Sequence, residues 1–212
     1  MIEFLQRSGK ASVRKLRLFA CFCYRRFDEG VIPDDKVSLA IELAESFADG
    51  VASPRQLEDV RREVLEFCEP CSSAEVRYQL ADIATSNPLS DVAPAAMAFI
   101  FWLECNVNEE EIEGEVHREH AAMIARLREL VGNPYRPVAL ERDWQTHTIV
   151  SLAQAVYDER LLPSRELDPA HLTVLADALE EAGAPGELVA HLRGSGPHVR
   201  GCHVVDLCLG LS

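Results

Sequence analysis

Residues 149–157 read Ile-Val-Ser-Leu-Ala-Gln-Ala-Val-Tyr. Apolar side chains recur three and four residues apart in this stretch, at Ile149, Leu152, Ala153, Val156 and Tyr157. An α-helix has 3.6 residues per turn, so this spacing puts all five side chains on one face. The stretch therefore predicts an amphipathic helix with one buried face.

The same spacing recurs on both sides of this stretch, for example in 37–48 and 172–179. Helix-start signals separate the periodic segments. In Ser53-Pro54-Arg55-Gln56 the serine can cap, proline suits the first helical position, and glutamine can reach back. The sequence lacks an alternating run of five or more residues that would predict a strand. We therefore expect an all-α protein, an irregular multi-helix bundle of about nine helices.

The longest segment without a helical pattern is 132–145, which opens on Gly132-Asn133-Pro134. We expect this segment to link an N-terminal helical region, 1–131, to a C-terminal helical region, 146–212. The two regions are expected to pack as one globular unit. The longest apolar run, 95–103, is far shorter than the roughly 20 residues of a membrane span, so it predicts a buried helix and no membrane association.

The chain is acidic, with 35 Asp and Glu against 21 Lys and Arg among 212 residues, a net charge of −14. General nucleic-acid binding is unfavourable for such a chain, because cationic side chains must neutralise phosphates. One local group of bases, Arg14, Lys15, Arg17, Arg25 and Arg26, is interpreted as a solvated helix face. The acidic balance favours a protein partner with a basic surface.

Seven cysteines and no secretory signal predict free thiols in a reducing cytoplasm. Cys21 and Cys23 lie two apart in a predicted helix and so point about 200° from each other, which makes a poor chelate. Cys68 and Cys71 form a CxxC pair. We expect no resident metal or cofactor. The candidate ligands, if a metal binds, are Cys68, Cys71, His198 and Cys202.

The stretch 191–206 has the least ordinary composition, with three glycines, three histidines, two arginines and a cysteine. It predicts a tight glycine turn before a last helix, opened by Pro197 or its neighbours, with Gly201 as a packing glycine in that helix. Two functional interpretations stay open. The amides of 194–196 can cradle an anion, or His191, His198, Cys202 and His203 can bind a metal.

Five blocks of the chain form a recognisable set, in the order RKLRLFACFCYRR (14–26), GNPYRPV (132–138), LAQAVYDER (152–160), LADALEEAG (175–183) and GPHVRGC (196–202). Together they resemble an uncharacterised family of proteins that is abundant in planctomycete-type bacteria. The resemblance implies no established activity. The chain departs from the family pattern with His203 in place of a large aromatic residue and Arg193 in place of a cysteine.

Two functions remain open from the sequence. The first is a non-enzymatic protein-binding or adaptor protein, in the manner of an immunity or inhibitor protein. The alternative is an enzyme or ligand sensor that uses the Gly-Pro-His-Val-Arg-Gly turn as an anion or metal site. In either case the candidate ligand or partner residues are His191, Arg193, His198, Arg200, Tyr157 and Arg160, and no catalytic set is evident.

Overall fold

The computed structural model describes residues 4–5, 8–28, 35–66, 81–86, 112–138, 141, 144–161 and 165–211. Its helices are α1 (Val13–Asp28), α2 (Asp35–Ala48), α3 (Pro54–Glu66), α4 (Ile112–Val131), α5 (His147–Asp158), α6 (Pro169–Glu181), α7 (Gly186–Leu192) and α8 (His203–Leu209). Residues 81–85 are helical too. These ranges contain no strand, only an isolated bridge between Glu166 and Val199. The predicted all-α fold of about nine helices is confirmed.

Helix boundaries follow the local signals in the sequence. Ser53 and Gln56 form the expected reciprocal cap, since each side chain accepts a hydrogen bond from the other residue's backbone N–H. The Asp168 carboxylate accepts from Ala170 N–H at the start of α6. Gly50 and Gly183 follow α2 and α6 in the left-handed region, where glycine alone is unstrained.

The chain divides into two compact units, Met1–Leu127 and Arg128–Ser212. In the N-terminal unit α1 packs on α2, and α2 on α3. The boundary falls inside α4, so the last turn of that helix belongs to the C-terminal unit. The CxxC pair Cys68–Cys71 and the apolar run 95–103 lie outside the described residues.

The basic segment of α1 is not a solvated face, so that interpretation is wrong. Arg17 is only 1% exposed and Lys15 is also buried. Arg14 pairs with Asp49, and Arg25 with Glu45. The apolar side chains of α1 cover much of its circumference, so several of its basic residues lie against neighbouring helices. Those at the edge of the buried face, Arg14 and Arg25, pair there with carboxylates.

In the C-terminal unit α5 packs on α6, α6 on α7, and α8 on both α5 and α7. The shared core contains most of the predicted inward positions of these helices and also Trp144, which precedes α5, while Leu152 is partly buried against it. It comprises Ile149, Ala153, Val156, Tyr157, Leu167, Leu172, Leu175, Ala176, Leu179, Leu188, Val189, Leu192, Cys202, Val204, Val205 and Cys208. Among the described helices, none has the length and apolar content to cross a bilayer.

Candidate metal centre

Four side chains of the C-terminal unit converge where α4 ends and the loop 193–202 begins. Glu129 comes from the last turn of α4 and His191 from the last turn of α7. His198 and Cys202 come from the loop that leads into α8. One ligand atom from each of these residues lies within 4.8 Å of the other three. We call this set the Glu129 cluster.

The carboxylate of Glu129 is the centre of the cluster. His191 Nε2 lies 3.0 Å from one of its oxygens, and His198 Nδ1 lies 3.2 Å from the other. The Cys202 Sγ atom lies 3.4 Å from His191 Nε2. Glu129 and His198 are buried, and Cys202 is completely so, while His191 is half-buried. The donors therefore face one another in a site shielded from water on most sides.

The orientation of the His198 ring is fixed from behind. Its Nε2–H donates to the Gly194 carbonyl across 3.3 Å, which leaves Nδ1 facing Glu129. A backbone carbonyl that accepts the second ring N–H is the usual support of a histidine that binds metal through its other nitrogen. With Nε2 protonated, Nδ1 can meet the carboxylate only as the N–H of an imidazolium, or as a lone pair with a cation in between.

The cluster shifts the protonation of its members in the direction expected for close charges. Burial by itself would raise the pKa of Glu129, but the hydrogen bonds with His191 and His198 outweigh it and hold that pKa well below its usual range. The hydrogen bond with Glu129 raises the pKa of His198. Burial, followed by the Glu129 charge, raises the pKa of the Cys202 thiol well above 9. Glu129 is therefore an anion at neutral pH, and uncoordinated Cys202 a thiol.

A second polar network braces the same loop. The Tyr157 hydroxyl donates to the Asp206 carboxylate across 2.6 Å and accepts from Gly201 N–H across 3.0 Å. The Arg200 guanidinium lies over the Tyr157 ring, 5.4 Å from its centroid. The sequence-based proposal that Tyr157 approaches the turn is supported by these contacts, which give it a bracing role rather than a place in the cluster.

Arg193 and Arg160, two other candidate residues, are not among the four residues of the Glu129 cluster. Arg193 donates to Asp177 and Glu180 on α6 at 2.6 Å each, so its charge serves a surface contact. Arg160 is half-buried just after α5. The anion cradle expected at the amides of 194–196 stays a prediction, and the Val199 N–H that follows it donates to the Glu129 carboxylate across 3.4 Å.

The last helix begins later than its sequence suggested. α8 starts at His203, so Pro197 and Gly201 both precede it. Gly201 has φ +91° and is therefore a turn glycine, not a packing glycine within the helix. The wrong prediction has a local cause. Gly201 stands three and four residues before Val204 and Val205, which is helical spacing, but its positive φ belongs to a turn that precedes the helix.

Sequence reasoning missed Glu129, which is 62 positions before His191. One signal was present. An acid in the last turn of a helix faces the negative end of the helix dipole, so its placement there asks for a compensating contact. That signal says nothing of which residues supply the contact.

Neither family models nor curated proteins nor solved structures match the chain.

Proposed function

We propose that the C-terminal unit binds a divalent transition metal, Zn²⁺ in the first instance, and that the metal organises the helical module rather than performing catalysis. The ligands are a Glu129 oxygen, His191 Nε2, His198 Nδ1 and Cys202 Sγ. The observation that carries the proposal is the convergence of these four donors within 4.8 Å of one another. The sequence alone favours a metal-free turn, because nothing in it indicates that Glu129 lies beside His191, His198 and Cys202.

The spacing of the donors fits a tetrahedral ion. Zinc lies about 2.0–2.1 Å from nitrogen or oxygen and about 2.3 Å from sulfur, so tetrahedral ligands stand about 3.3 Å apart for N and O and about 3.6 Å for N and S. The observed separations are 3.0 Å between Glu129 and His191, 3.2 Å between Glu129 and His198, and 3.4 Å between Cys202 and His191. These three pairs need only small outward movements to admit the ion, while any donor pair nearer the 4.8 Å limit of the set must move closer together.

The charges and the donor types favour zinc over the alkaline-earth ions. A carboxylate, a thiolate and two neutral imidazoles give a charge of −2, which a divalent cation neutralises within the buried site. The metal also makes the thiolate form of Cys202 favourable despite its burial, because a coordinated thiol loses its proton. Magnesium and calcium prefer oxygen ligands throughout, so one oxygen donor with two nitrogens and a sulfur suits them poorly.

The completeness of the ligand set supports a structural role. Catalytic zinc keeps one position open for water or substrate, whereas structural sites use four protein ligands. Here the protein offers four donors, and only His191 is more than slightly exposed. The ion would join the end of α4 to the end of α7 and the loop that follows it, although 62 positions separate Glu129 from His191.

The test is a zinc titration of the chelator-treated protein followed by thermal unfolding. Binding at 1,000 times the dissociation constant adds about 4 kcal/mol to the stability of the C-terminal unit. For a unit of this size we expect the melting temperature to rise by about 15 °C or more. Cys202→Ala should lose most of this rise. Cys208→Ala removes an equally buried thiol from α8 outside the cluster and should keep it.

Two results would refute zinc binding. One is an unchanged melting temperature of the wild-type protein at millimolar zinc. The other is an equal zinc response in Cys202→Ala and Cys208→Ala, which would place the ion elsewhere. Magnesium at the same concentration serves as the control for a non-specific effect of a divalent cation.

We also propose that the protein as a whole binds a protein with a basic surface, as its net charge of −14 favours. Charge complementarity makes such an association weaken as salt rises. A direct test measures the affinity of a captured partner between low and high ionic strength. A partner that is itself acidic, or whose affinity is independent of salt, would contradict this proposal.

A further inference from the structure

His203 contacts the Glu129 cluster without being one of its four residues. It is the first residue of α8 and follows Cys202 directly. Its Nδ1–H donates to the Glu129 backbone carbonyl across 3.0 Å. Its ring also lies against His191, with 4.3 Å between ring centroids. His203 therefore contacts Glu129 and His191, which both supply donors, and it follows a third donor residue, Cys202, in the chain.

The end of α4 is shaped to receive this ring. Gly132 follows the helix with φ +68°, and a Cβ built there would lie 2.7 Å from His203 Cδ2. Any side chain at 132 would push the imidazole away from the helix end. The Gly132 N–H donates to the Arg128 carbonyl across 2.8 Å. The next carbonyl, that of Glu129, is one of the terminal carbonyls that a helix leaves without an internal partner, and the absence of a side chain at 132 gives His203 access to it.

We propose that His203 is a positioning residue of the metal site, an inference that rests on the zinc binding proposed above. It holds the backbone of Glu129 while the carboxylate of the same residue faces the cluster, and its ring limits the rotation of His191. Fixing both donors before the ion arrives lowers the cost of ordering them. Outer-shell partners of this kind typically change metal affinity about 10- to 100-fold.

Two substitutions separate the two contacts of His203. His203→Phe keeps a ring beside His191 and loses the donor to Glu129, whereas His203→Gln keeps an N–H donor and loses the ring. We expect each to weaken zinc binding about 10- to 100-fold, measured by competition with a chromophoric chelator. His147→Phe, at the exposed first position of α5, is the matched control and should bind as wild type.

Cobalt supplies a readout of the ligand set itself. The visible bands of tetrahedral Co²⁺ and its sulfur-to-metal charge-transfer band should keep their shape in both variants, because the four donors remain. Gly132→Ala should weaken zinc binding in the same way with His203 intact, so the inference stays testable if one His203 variant does not fold. The apo proteins are compared by far-ultraviolet circular dichroism.

The possible failures are distinguishable. If the wild-type protein binds neither Zn²⁺ nor Co²⁺, the proposed function fails and the role of His203 fails with it. If the wild type binds and both His203 variants bind within twofold of it, only the positioning role is overturned. Where the His203 variants do not fold, the same result for Gly132→Ala overturns that role. A changed cobalt spectrum in the folded His203 variants would also overturn it, since His203 would then be a ligand.

Discussion

α1 and the loop 193–202 both concentrate basic residues and cysteine, yet the structure uses them in opposite ways. Along α1, Arg14, Arg25 and Arg26 each pair with a single acid. Its cysteines, Cys21 and Cys23, are buried, and burial is the main cause that raises both thiol pKa values. At the loop, the Glu129 carboxylate of α4 meets His191 of α7 and the loop's own His198 and Cys202. Residue types alone do not make a site; the convergence of several donors on one point does.

The largest expected effect breaks the cluster at its centre. Glu129→Ala removes the acceptor that faces His191, His198 and Val199 N–H, and it leaves buried polar groups without that partner. Breaking a buried charged pair from one side typically costs about 3–5 kcal/mol. Urea unfolding of the metal-free protein should show a loss in this range.

The corresponding change beside α1 should be much smaller. Arg25 and Glu45 are partly exposed, so Glu45→Ala should cost about 1 kcal/mol or less. Equal losses for the Glu129 and Glu45 variants would contradict the contrast between a converging cluster and a simple ion pair.

The next effect tests the brace behind the loop. Tyr157→Phe removes the hydroxyl shared by Asp206 and Gly201 N–H, leaving a buried carboxylate and a buried amide short of a partner. We expect a loss of about 1–3 kcal/mol in urea unfolding. Tyr135→Phe, at an exposed position, should be neutral. A neutral Tyr157→Phe would show that the network contributes nothing to the loop.

A smaller effect should come from the turn glycine. Gly201→Ala places a Cβ on a residue with φ +91°, which costs about 1–2 kcal/mol. Gly186→Ala is the control, because a Cβ there meets open space and an ordinary backbone. If Gly201→Ala were as stable as wild type, the loop would have an alternative conformation that needs no left-handed residue.

The smallest expected change concerns the buried arginine of α1. Arg17 is 1% exposed, donates to the Ala84 carbonyl across 2.6 Å and has Phe47 beside its guanidinium. Burial lowers its pKa, which reflects the cost of keeping its charge away from water. Arg17→Met keeps most of the volume and removes the charge, so we expect a change within about 1 kcal/mol or a gain. A loss above about 3 kcal/mol in urea unfolding would show that the guanidinium is a net stabilising group.

Much of the fold was predictable because it depends on local chemistry. The apolar spacing of α5 and α6, the reciprocal cap at Ser53 and Gln56, and the glycine after α2 all act within one or two turns of chain. Predictions failed where burial depended on distant neighbours. The sequence predicts solvated bases along α1, and only the positions of α2 and residue 84 show why Arg17 and its neighbours are not solvated.

By itself the sequence determined an acidic, all-α chain, most of the helix boundaries and the unusual stretch 191–206. The tertiary structure decided that the carboxylate of Glu129 meets His191, His198 and Cys202, that His203 contacts the Glu129 backbone, and that Gly201 belongs to a turn. The physical reason is one of range. Helix periodicity and capping are properties of neighbouring residues. The Glu129 cluster instead depends on residues 62 or more positions apart, which only the packing of several helices brings within 4.8 Å of one another.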